Sequence, residues 1–168
     1  MSKIIEILNC DKNYGIGKRN GLLFRLPADM AFFKASTSGH VVAMGENTLL
    51  SFPKQKPLPN RTNIVLSQDE THNYEDVINV HTFDVFLAKI NQFCEENTVF
   101  IIGGASIYRQ MLDYVNEVWL NKVDADGEPE VFFVNIDEDP RFELVEAKEA
   151  VMDNGYKTQL HIYRNIKK

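Results

Sequence analysis

The stretch LPADMAFFK (residues 26–34) decides how the rest of the chain is interpreted, because it places a carboxyl group at the start of a helix among large apolar side chains. Pro27 disfavours helical geometry at the residue before it and suits the first helical position, so a helix is predicted to begin here. Asp29 and Phe33 are four residues apart and share one face of that helix. A buried acid is costly unless a polar group meets it. Taken alone, Asp29 fits either a residue that complements the helix dipole or a functional carboxylate.

Length and composition limit the classes of function. The chain has 168 residues, 44% of them hydrophobic and 25% charged, which predicts one soluble globular domain over residues 1–168. The net charge of -6 argues against a nucleic-acid partner. Cys10 and Cys94 are far apart and no secretory or transit signal precedes the first strand, so a reduced cytoplasmic location is expected. No apolar run approaches the ~18 residues of a membrane span.

Strand and helix patterns alternate along the chain, which predicts an α/β sandwich with a mainly parallel sheet. The last two predicted strands, residues 142–147 and 156–165, have no helix between them and are expected to pair antiparallel at one edge. The first strand, residues 3–9, is apolar except for Glu6, which is expected to face solvent or to find a partner. The glycine-bearing segment 11–21 fits either a mobile lid or a plain surface loop.

Unusual residues follow three of the predicted strands. Asn9 leads into the glycine loop, Gly45 leads towards Thr48, and Gly103-Gly104 follows the most hydrophobic strand. In open α/β sheets ligands bind beyond the carboxyl ends of the strands, and glycine there lets a backbone approach a ligand closely. The chain contains no GxSxG or HExxH motif, and its histidines are scattered, so neither a serine hydrolase nor a metal site is expected.

The chain resembles the dihydrofolate reductases. The matching pieces are the first strand with its GIGKRNG loop, LPADMAFFK, VVAMGENT, PLPNRTNIVLS, VFIIGGASIYRQML and VWLNKVDADGE, which occur in the family's order over residues 3 to 133. The resemblance implies a three-layer sandwich with a mainly parallel eight-stranded sheet and about four flanking helices. It also implies hydride transfer from a reduced nicotinamide cofactor to C6 of dihydrofolate and protonation at N5, giving tetrahydrofolate for one-carbon metabolism.

The resemblance assigns the substrate site. Asp29 matches the family's ionisable pterin-site residue, which promotes protonation of N5. Burial among apolar side chains is expected to raise its pKa, while the helix N-terminus and the pterin donors favour the anion, so the two effects are expected to cancel in part. Arg61 matches the arginine that grips the glutamate α-carboxylate, for which its planar fork is well suited. The remaining substrate-binding positions are Ile7, Leu8, Met30, Phe33, Leu58, Ile102 and Tyr108. The expected partners are dihydrofolate and antifolate-type small molecules, bound by a monomer.

The resemblance also assigns the cofactor site. Gly103-Gly104 matches a cis peptide bond at which substrate and cofactor meet, and the lid loop contributes Ile16, Asn20 and Leu22. The complete set of cofactor-binding positions is Asn9, Ile16, Asn20, Leu22, Gly45, Glu46, Asn47, Thr48, Leu66, Ser67, Gln68, Ile102, Gly103, Gly104, Ala105, Ser106, Ile107 and Tyr108.

Several residues depart from the family pattern. Phe24 replaces a tryptophan that helps to hold an active-site water, and Leu23 replaces the proline before it. Asn121 replaces a threonine that hydrogen-bonds the catalytic acid, although its amide can still donate. Asn9 adds polarity near the nicotinamide. We predict that Asp29, Asn121 and Phe24 form the catalytic group.

Glu46 is the most consequential departure, because the family usually has an arginine here that pairs with the 2′-phosphate of NADPH. Asn47 is neutral, and residues 67–70 bring more acid than base. A like charge within ~4–6 Å disfavours a dianionic phosphate. The resemblance implies NADPH as the cofactor, and Glu46 predicts weak discrimination, with NADH accepted to a comparable degree.

Two alternatives to a working dihydrofolate reductase stay open at this point. One is a folate-binding homologue with little turnover and a structural or binding role, to which the changes at Phe24, Asn121 and Glu46 would be suited. The other is a pyrimidine or pteridine reductase of the same fold, in which LPAD with Phe33 and Arg61 would not be expected.

Overall fold

The strand β1 (Ile4–Cys10) lies in the middle of the main sheet, parallel to β6 (Val99–Ile101) on one side and to β7 (Glu117–Val123) on the other. This is a computed structural model, and it describes residues 2–19 and 21–168. Apolar clusters cover both faces of the sheet, which explains the nearly continuous apolar sequence of β1.

Four α-helices flank the sheet within the described residues. They are α1 (Pro27–Thr37), α2 (Glu46–Leu50), α3 (Phe83–Cys94) and α4 (Ala105–Met111). The remaining strands are β2 (Gly15–Gly17), β3 (Val41–Gly45), β4 (Thr62–Leu66), β5 (Ile78–Val80), β8 (Val131–Phe132), β9 (Phe142–Ala147), β10 (Val151–Asp153) and β11 (Tyr156–Asn165). Short 3-10 turns occur at Pro53–Gln55 and Ile136–Glu138.

The main sheet has nine strands within the described residues, in the order β10-β11-β7-β1-β6-β3-β4-β5, and β9 pairs with β11 beside β10. Because β9 and β10 pair with different parts of the same edge of β11, the sheet is eight strands wide. The pairs from β7 to β5 are parallel, and β11 is antiparallel to β7, β9 and β10. The predicted fold class, with its antiparallel edge and four helices, is confirmed.

The core is divided between the two faces of this sheet. On one face, α3 and α4 contribute Phe86, Ile90 and Met111 to the larger cluster. On the other face, α2 contributes Leu49, and Phe33 of α1 packs at the margin. This arrangement gives the three layers that the sequence predicts.

Glu6 contradicts the expectation from its sequence. Its side chain is fully buried in β1, and neither carboxyl oxygen has a hydrogen-bond partner within residues 2–19 and 21–168. A strand that is covered on both faces offers no solvent-facing side, so the residue could not turn outwards. Burial raises the pKa of Glu6 well above its usual value, which the charge of Arg141 offsets only in part.

The segment 11–21 is not a plain loop. Residues 15–17 form β2, which pairs antiparallel with β8 in a separate two-stranded sheet. The buried carboxylate of Asp11 accepts hydrogen bonds from the backbone N–H groups of Asn13, Gly15 and Gly127. The segment is therefore tied at its base to the loop after β7. No helix in the described part of the chain has the length and apolarity needed to cross a membrane.

Candidate active site

Asp29 lies in the first turn of α1, above the carboxyl ends of β1 and β7. Asn9 and Asn121 are partners in the register of these two parallel strands, so their side chains emerge next to each other on the same face. The Asn9 amide donates to Asp29 Oδ2 at 3.0 Å, and the Asn121 amide donates to Asp29 Oδ1 at 3.1 Å. Each carboxylate oxygen thus accepts one amide hydrogen bond, and Asn121 makes the contact that its amide was expected to make.

The pKa of Asp29 is raised above its usual value, so the expected effect of burial exceeds the effects that oppose it. Burial is the largest cause, and the two amide hydrogen bonds oppose it. The carboxylate of Asp153 raises the pKa of Asp29 further, because it is a second negative charge near the first. A carboxyl group in this state is suited to taking part in proton transfer.

An apolar wall lies beside Asp29. Ile7 is a buried member of the apolar cluster on this face of the sheet. Ile102, Phe33 of α1 and Leu58 of the 57–60 segment pack against that cluster. Met30 is 55% exposed, so it contributes less to the burial of Asp29 than we expected. Phe24 is buried in a separate small cluster with Leu26 and Val123, where its ring lies 4.9 Å from that of Tyr156.

The carboxyl ends of β3 and β6 meet at glycines. The peptide bond between Gly103 and Gly104 is cis, as the resemblance implied, and the carbonyl of Gly103 accepts from the N–H of Gly45 at 2.9 Å. A Cβ at Gly103 would lie 3.3 Å from Thr48 Oγ1, so side chains there would crowd α2. The buried hydroxyl of Tyr108 donates to the carbonyl of Ile7 at 3.0 Å, which ties α4 to β1.

Arg61 lies between α1 and the 57–60 segment. Its Nη1 donates to Thr37 Oγ1 at 3.0 Å, and its Nε donates to the carbonyl of Pro59 at 2.8 Å. These contacts hold the guanidinium at the end of the cleft opposite the start of α1. Partial burial lowers the pKa of Arg61, which nevertheless keeps its charge at all physiological pH values.

Glu46 is the centre of a polar cluster at the carboxyl ends of β3 and β4. Its Oε2 accepts from the Tyr74 hydroxyl at 2.6 Å and lies 3.0 Å from His72 Nδ1. The Tyr74 hydrogen bond is the largest cause of a lowered pKa at Glu46, which is therefore a carboxylate at neutral pH. His72 Nε2 also lies 3.3 Å from Asp69 Oδ2, and its side chain stays 48% exposed.

The other predicted positions differ in how they are placed. Ile16 packs against the core, and Leu22 is 70% exposed. Asn20 lies outside the described residues. The remaining positions border the ends of β1, β3, β4 and β6, and they are Leu8, Asn47, Leu66, Ser67, Gln68, Ala105, Ser106 and Ile107.

Sequence reasoning missed three residues of this region, namely His72, Tyr74 and Asp153. His72 and Tyr74 lie in an irregular connection with no periodic pattern, so only the folded chain brings them to Glu46. Asp153 precedes Asn154-Gly155, a strong hairpin signal that predicts where its strand ends.

The fold and the cleft define a class of α/β proteins that bind a nucleotide cofactor and a second small molecule at the carboxyl edge of a parallel sheet. Comparison with known proteins narrows this class. A family model described as dihydrofolate reductase matches residues 3–165. The chain belongs to the dihydrofolate reductase family.

Individual relatives agree with this assignment. The chain is 33% identical over 170 residues to a dihydrofolate reductase of Staphylococcus haemolyticus, covering 98% of this chain and 97% of the relative. It is 38% identical over 137 residues to that of Neisseria gonorrhoeae, covering 82% of each. Among solved structures, dihydrofolate reductase from Enterococcus faecalis complexed with NADP(H) and RAB-propyl is similar, with a TM-score of 0.85 and 26% identity, over 98% of this chain and 96% of the other. These relatives give no support to a low-turnover structural role.

Proposed function

We propose that this protein reduces 7,8-dihydrofolate to tetrahydrofolate with a reduced nicotinamide dinucleotide. In this reaction a hydride is added to C6 and a proton to N5, so that the N5=C6 double bond is consumed. The observation that carries the proposal is the half-buried carboxyl group of Asp29, held by amides from two neighbouring strands beside an apolar slot. Membership of the dihydrofolate reductase family supports the same conclusion.

Asp29 orients the substrate and promotes the protonation of N5. Its carboxylate accepts hydrogen bonds from the 2-amino group and N3 of the pterin ring, which draws the ring into the orientation in which N5 is protonated. Asn9 and Asn121 keep both oxygens in place, because each oxygen has its own amide donor. The aromatic ring of Phe33 and the side chains of Leu58 and Ile102 wall the slot and exclude water from it.

Arg61 binds the other end of the substrate. With Nε and Nη1 fixed by Pro59 and Thr37, the guanidinium is held in one orientation. A planar, pre-oriented guanidinium is suited to the α-carboxylate of the glutamate portion of dihydrofolate. Two anchors of opposite charge, Asp29 and Arg61, then fix the direction in which the substrate lies.

The residues at the edge of the sheet fit a dinucleotide. The exposed backbone at Gly104 and the close approach of Gly45 to Gly103 leave room for a flat, extended ligand across β3 and β6. Gly103, Gly104, Ala105 and Ser106 would hold the nicotinamide and pyrophosphate, and Leu66, Ser67 and Gln68 the adenosine. When bound, the reduced nicotinamide supplies the hydride.

We propose further that the enzyme uses NADH to a degree comparable with NADPH. The Glu46 carboxylate stands where a cation would be needed for the 2′-phosphate, and Tyr74 and His72 keep it in place. The same carboxylate can accept hydrogen bonds from the ribose hydroxyl groups of NADH. The basic side chain that contacts it is that of His72, whose Nδ1 lies 3.0 Å from Glu46 Oε2.

The decisive measurement is steady-state kinetics of the purified chain with dihydrofolate and each cofactor, following the loss of reduced nicotinamide. Turnover of dihydrofolate is expected with both. If neither cofactor supports turnover, the proposed reductase activity is refuted. An NADPH preference above about a thousandfold, or about 4 kcal/mol, would refute only the comparable use of NADH.

Glu46→Arg is expected to raise the ratio of kcat/KM for NADPH over that for NADH about thirtyfold. Reversing one charge near a phosphate removes a repulsion and adds an attraction, each about 1 kcal/mol at high dielectric. Glu96→Arg is the matched control, because it makes the same change in net charge just before β6, at the opposite edge of the sheet. An unchanged ratio in Glu46→Arg would separate Glu46 from the cofactor.

We also propose that residues 1–168 form one domain that acts as a monomer in a reduced cytoplasm. Two free cysteines, of which Cys10 is buried, support the reduced location. Light scattering of the purified chain, with limited proteolysis, measures the oligomeric state and the domain boundary directly.

A further inference from the structure

The strands β10 and β11 form a hairpin whose tip reaches the start of α1. Its central turn residues, Asn154 and Gly155, have φ values of 52° and 84°, which is the two-residue turn that Asn-Gly favours. We refer to residues 153–156 as the hairpin tip. It lies far from α1 in sequence but contacts it in the fold.

Asp153 caps α1 from outside the helix. One carboxylate oxygen accepts from the N–H of Ala28 at 3.0 Å, and the other accepts from the N–H of Asp29 at 2.9 Å. The helix has no side-chain cap of its own, since Leu26 occupies the N-cap position. Asp153 is only 5% exposed, and its carboxylate satisfies two of the N–H groups that a helix start leaves without an intrahelical partner.

The rest of the hairpin tip grips the segment before the helix. The Asn154 amide donates to the carbonyl of Arg25 at 2.9 Å, and the ring of Tyr156 packs on that of Phe24. The tip therefore contacts residues 24, 25, 28 and 29 together, which fixes the direction in which the chain enters α1.

Asp153 also determines what Asp29 is free to do. An acid in the first turn of a helix commonly turns back to the free N–H groups there. Asp153 occupies two of these donors, and the side chain of Asp29 instead meets Asn9 and Asn121. We propose that Asp153 is a positioning residue for the reduction of dihydrofolate, which holds α1 so that the carboxyl group of Asp29 points into the cleft. This inference rests on the proposed function of the same site.

A second consequence concerns charge. The titratable groups around Asp29 are Asp153 from β10 and Tyr108 from α4, while β1 and β7 present neutral amides. Asp153 is the charged neighbour that raises the pKa of Asp29. A neutral residue at position 153 is therefore expected to lower the pKa of Asp29, so that the fall of activity with rising pH begins at a lower pH.

The test compares Asp153→Asn with Asp139→Asn. Asparagine keeps the shape and one acceptor oxygen but removes the charge. Asp139 is the matched control, because its carboxylate also accepts a backbone N–H, from Arg141, next to β9 at the opposite end of β11. We expect Asp153→Asn to lower kcat by about ten- to a hundredfold, as for a misplaced reacting group. Asp139→Asn is expected to leave kcat and its pH profile unchanged.

Carboxyl 13C NMR of the same variants, assigned with Asp29→Asn, measures the titration of Asp29 without any substrate. A lower pKa of Asp29 together with the loss of kcat supports the inference. If Asp153→Asn only lowers the unfolding temperature, with kcat and the pKa of Asp29 as in the wild type, the residue is merely structural and the inference is wrong.

Asp153→Ser supplies a second, smaller acceptor, so the inference stays testable if one variant does not fold. If the wild type fails to reduce dihydrofolate, the proposed function fails, while the NMR titration still decides whether Asp153 controls Asp29. The two failures are therefore distinguishable.

Discussion

Asp29 and Glu6 place two carboxyl groups on opposite faces of the same sheet, with opposite consequences. Glu6 alternates along β1 with Ile5, Ile7 and Asn9, so it points into the larger core while Asn9 points towards Asp29. Burial raises the pKa of both acids. Asp29 has two amide donors and is only partly buried, whereas neither oxygen of Glu6 has a partner among the described residues.

Burial of a carboxyl group can therefore support catalysis, as at Asp29, or only lower the stability of the fold, as at Glu6. A raised pKa is useful where a ligand can reach the group and where hydrogen bonds hold its direction. Glu6 is fully buried and has no partner among the described residues, so its burial destabilises the fold whenever the group is ionised. A perturbed pKa alone would have nominated both residues, and the geometry selects Asp29.

The largest expected effect is that of Asp29→Asn on turnover. Loss of the carboxyl group is expected to lower kcat by about 10²- to 10⁴-fold, the usual contribution of an acid or base that assists proton transfer. Steady-state kinetics at saturating dihydrofolate measures this. Because folding already disfavours the ionised form of Asp29, the unfolding temperature at neutral pH is expected to stay within about 5 °C of that of the wild type. Wild-type turnover in the variant would remove Asp29 from the mechanism.

Glu6→Met is expected to do the reverse, changing stability and leaving kcat unchanged. Removing an unpaired buried carboxyl group is expected to stabilise the fold by about 1–3 kcal/mol at neutral pH. Because the pKa of Glu6 is raised in the folded state, the protonated group contributes its full stability below the unfolded-state pKa near 4.5. That stability is lost as the pH rises from there towards the folded-state pKa. The stability gained by the variant should therefore widen between pH 5 and pH 8, as measured by urea unfolding.

Glu6→Gln is the control for that experiment. Glutamine cannot ionise, so it removes the pH dependence but still buries an unpaired polar group. A Glu6→Met variant that is no more stable than the wild type at pH 8 would mean that the carboxyl group has a favourable partner in solution.

The sequence predicted the parallel sheet, the four helices and the acid of α1, because each depends on local periodicity or on a short motif. It could not place Glu6, because an apolar strand covered on both faces leaves no pattern that distinguishes one face from the other. It also missed β10 and hence the cap on α1. That cap joins residues 28 and 153, and a contact between such distant residues depends on the position of the whole edge strand.

The smallest effects are expected at the two amides that distinguish Asp29 from Glu6. Asn121→Ala and Asn9→Ala each remove one hydrogen bond to one oxygen of Asp29, and each is expected to lower kcat about two- to tenfold, corresponding to about 0.5–1.5 kcal/mol. Because both hydrogen bonds lower the pKa of Asp29, each variant should raise that pKa, opposite to Asp153→Asn. The double variant should raise the pKa of Asp29 further, because its carboxyl group would then lack both amide donors. Asp29 would in this respect resemble Glu6, which has no donor among the described residues. If 13C NMR finds the pKa of Asp29 unchanged in the double variant, the amides do not control it, and the difference between the two acids rests on access to the cleft alone.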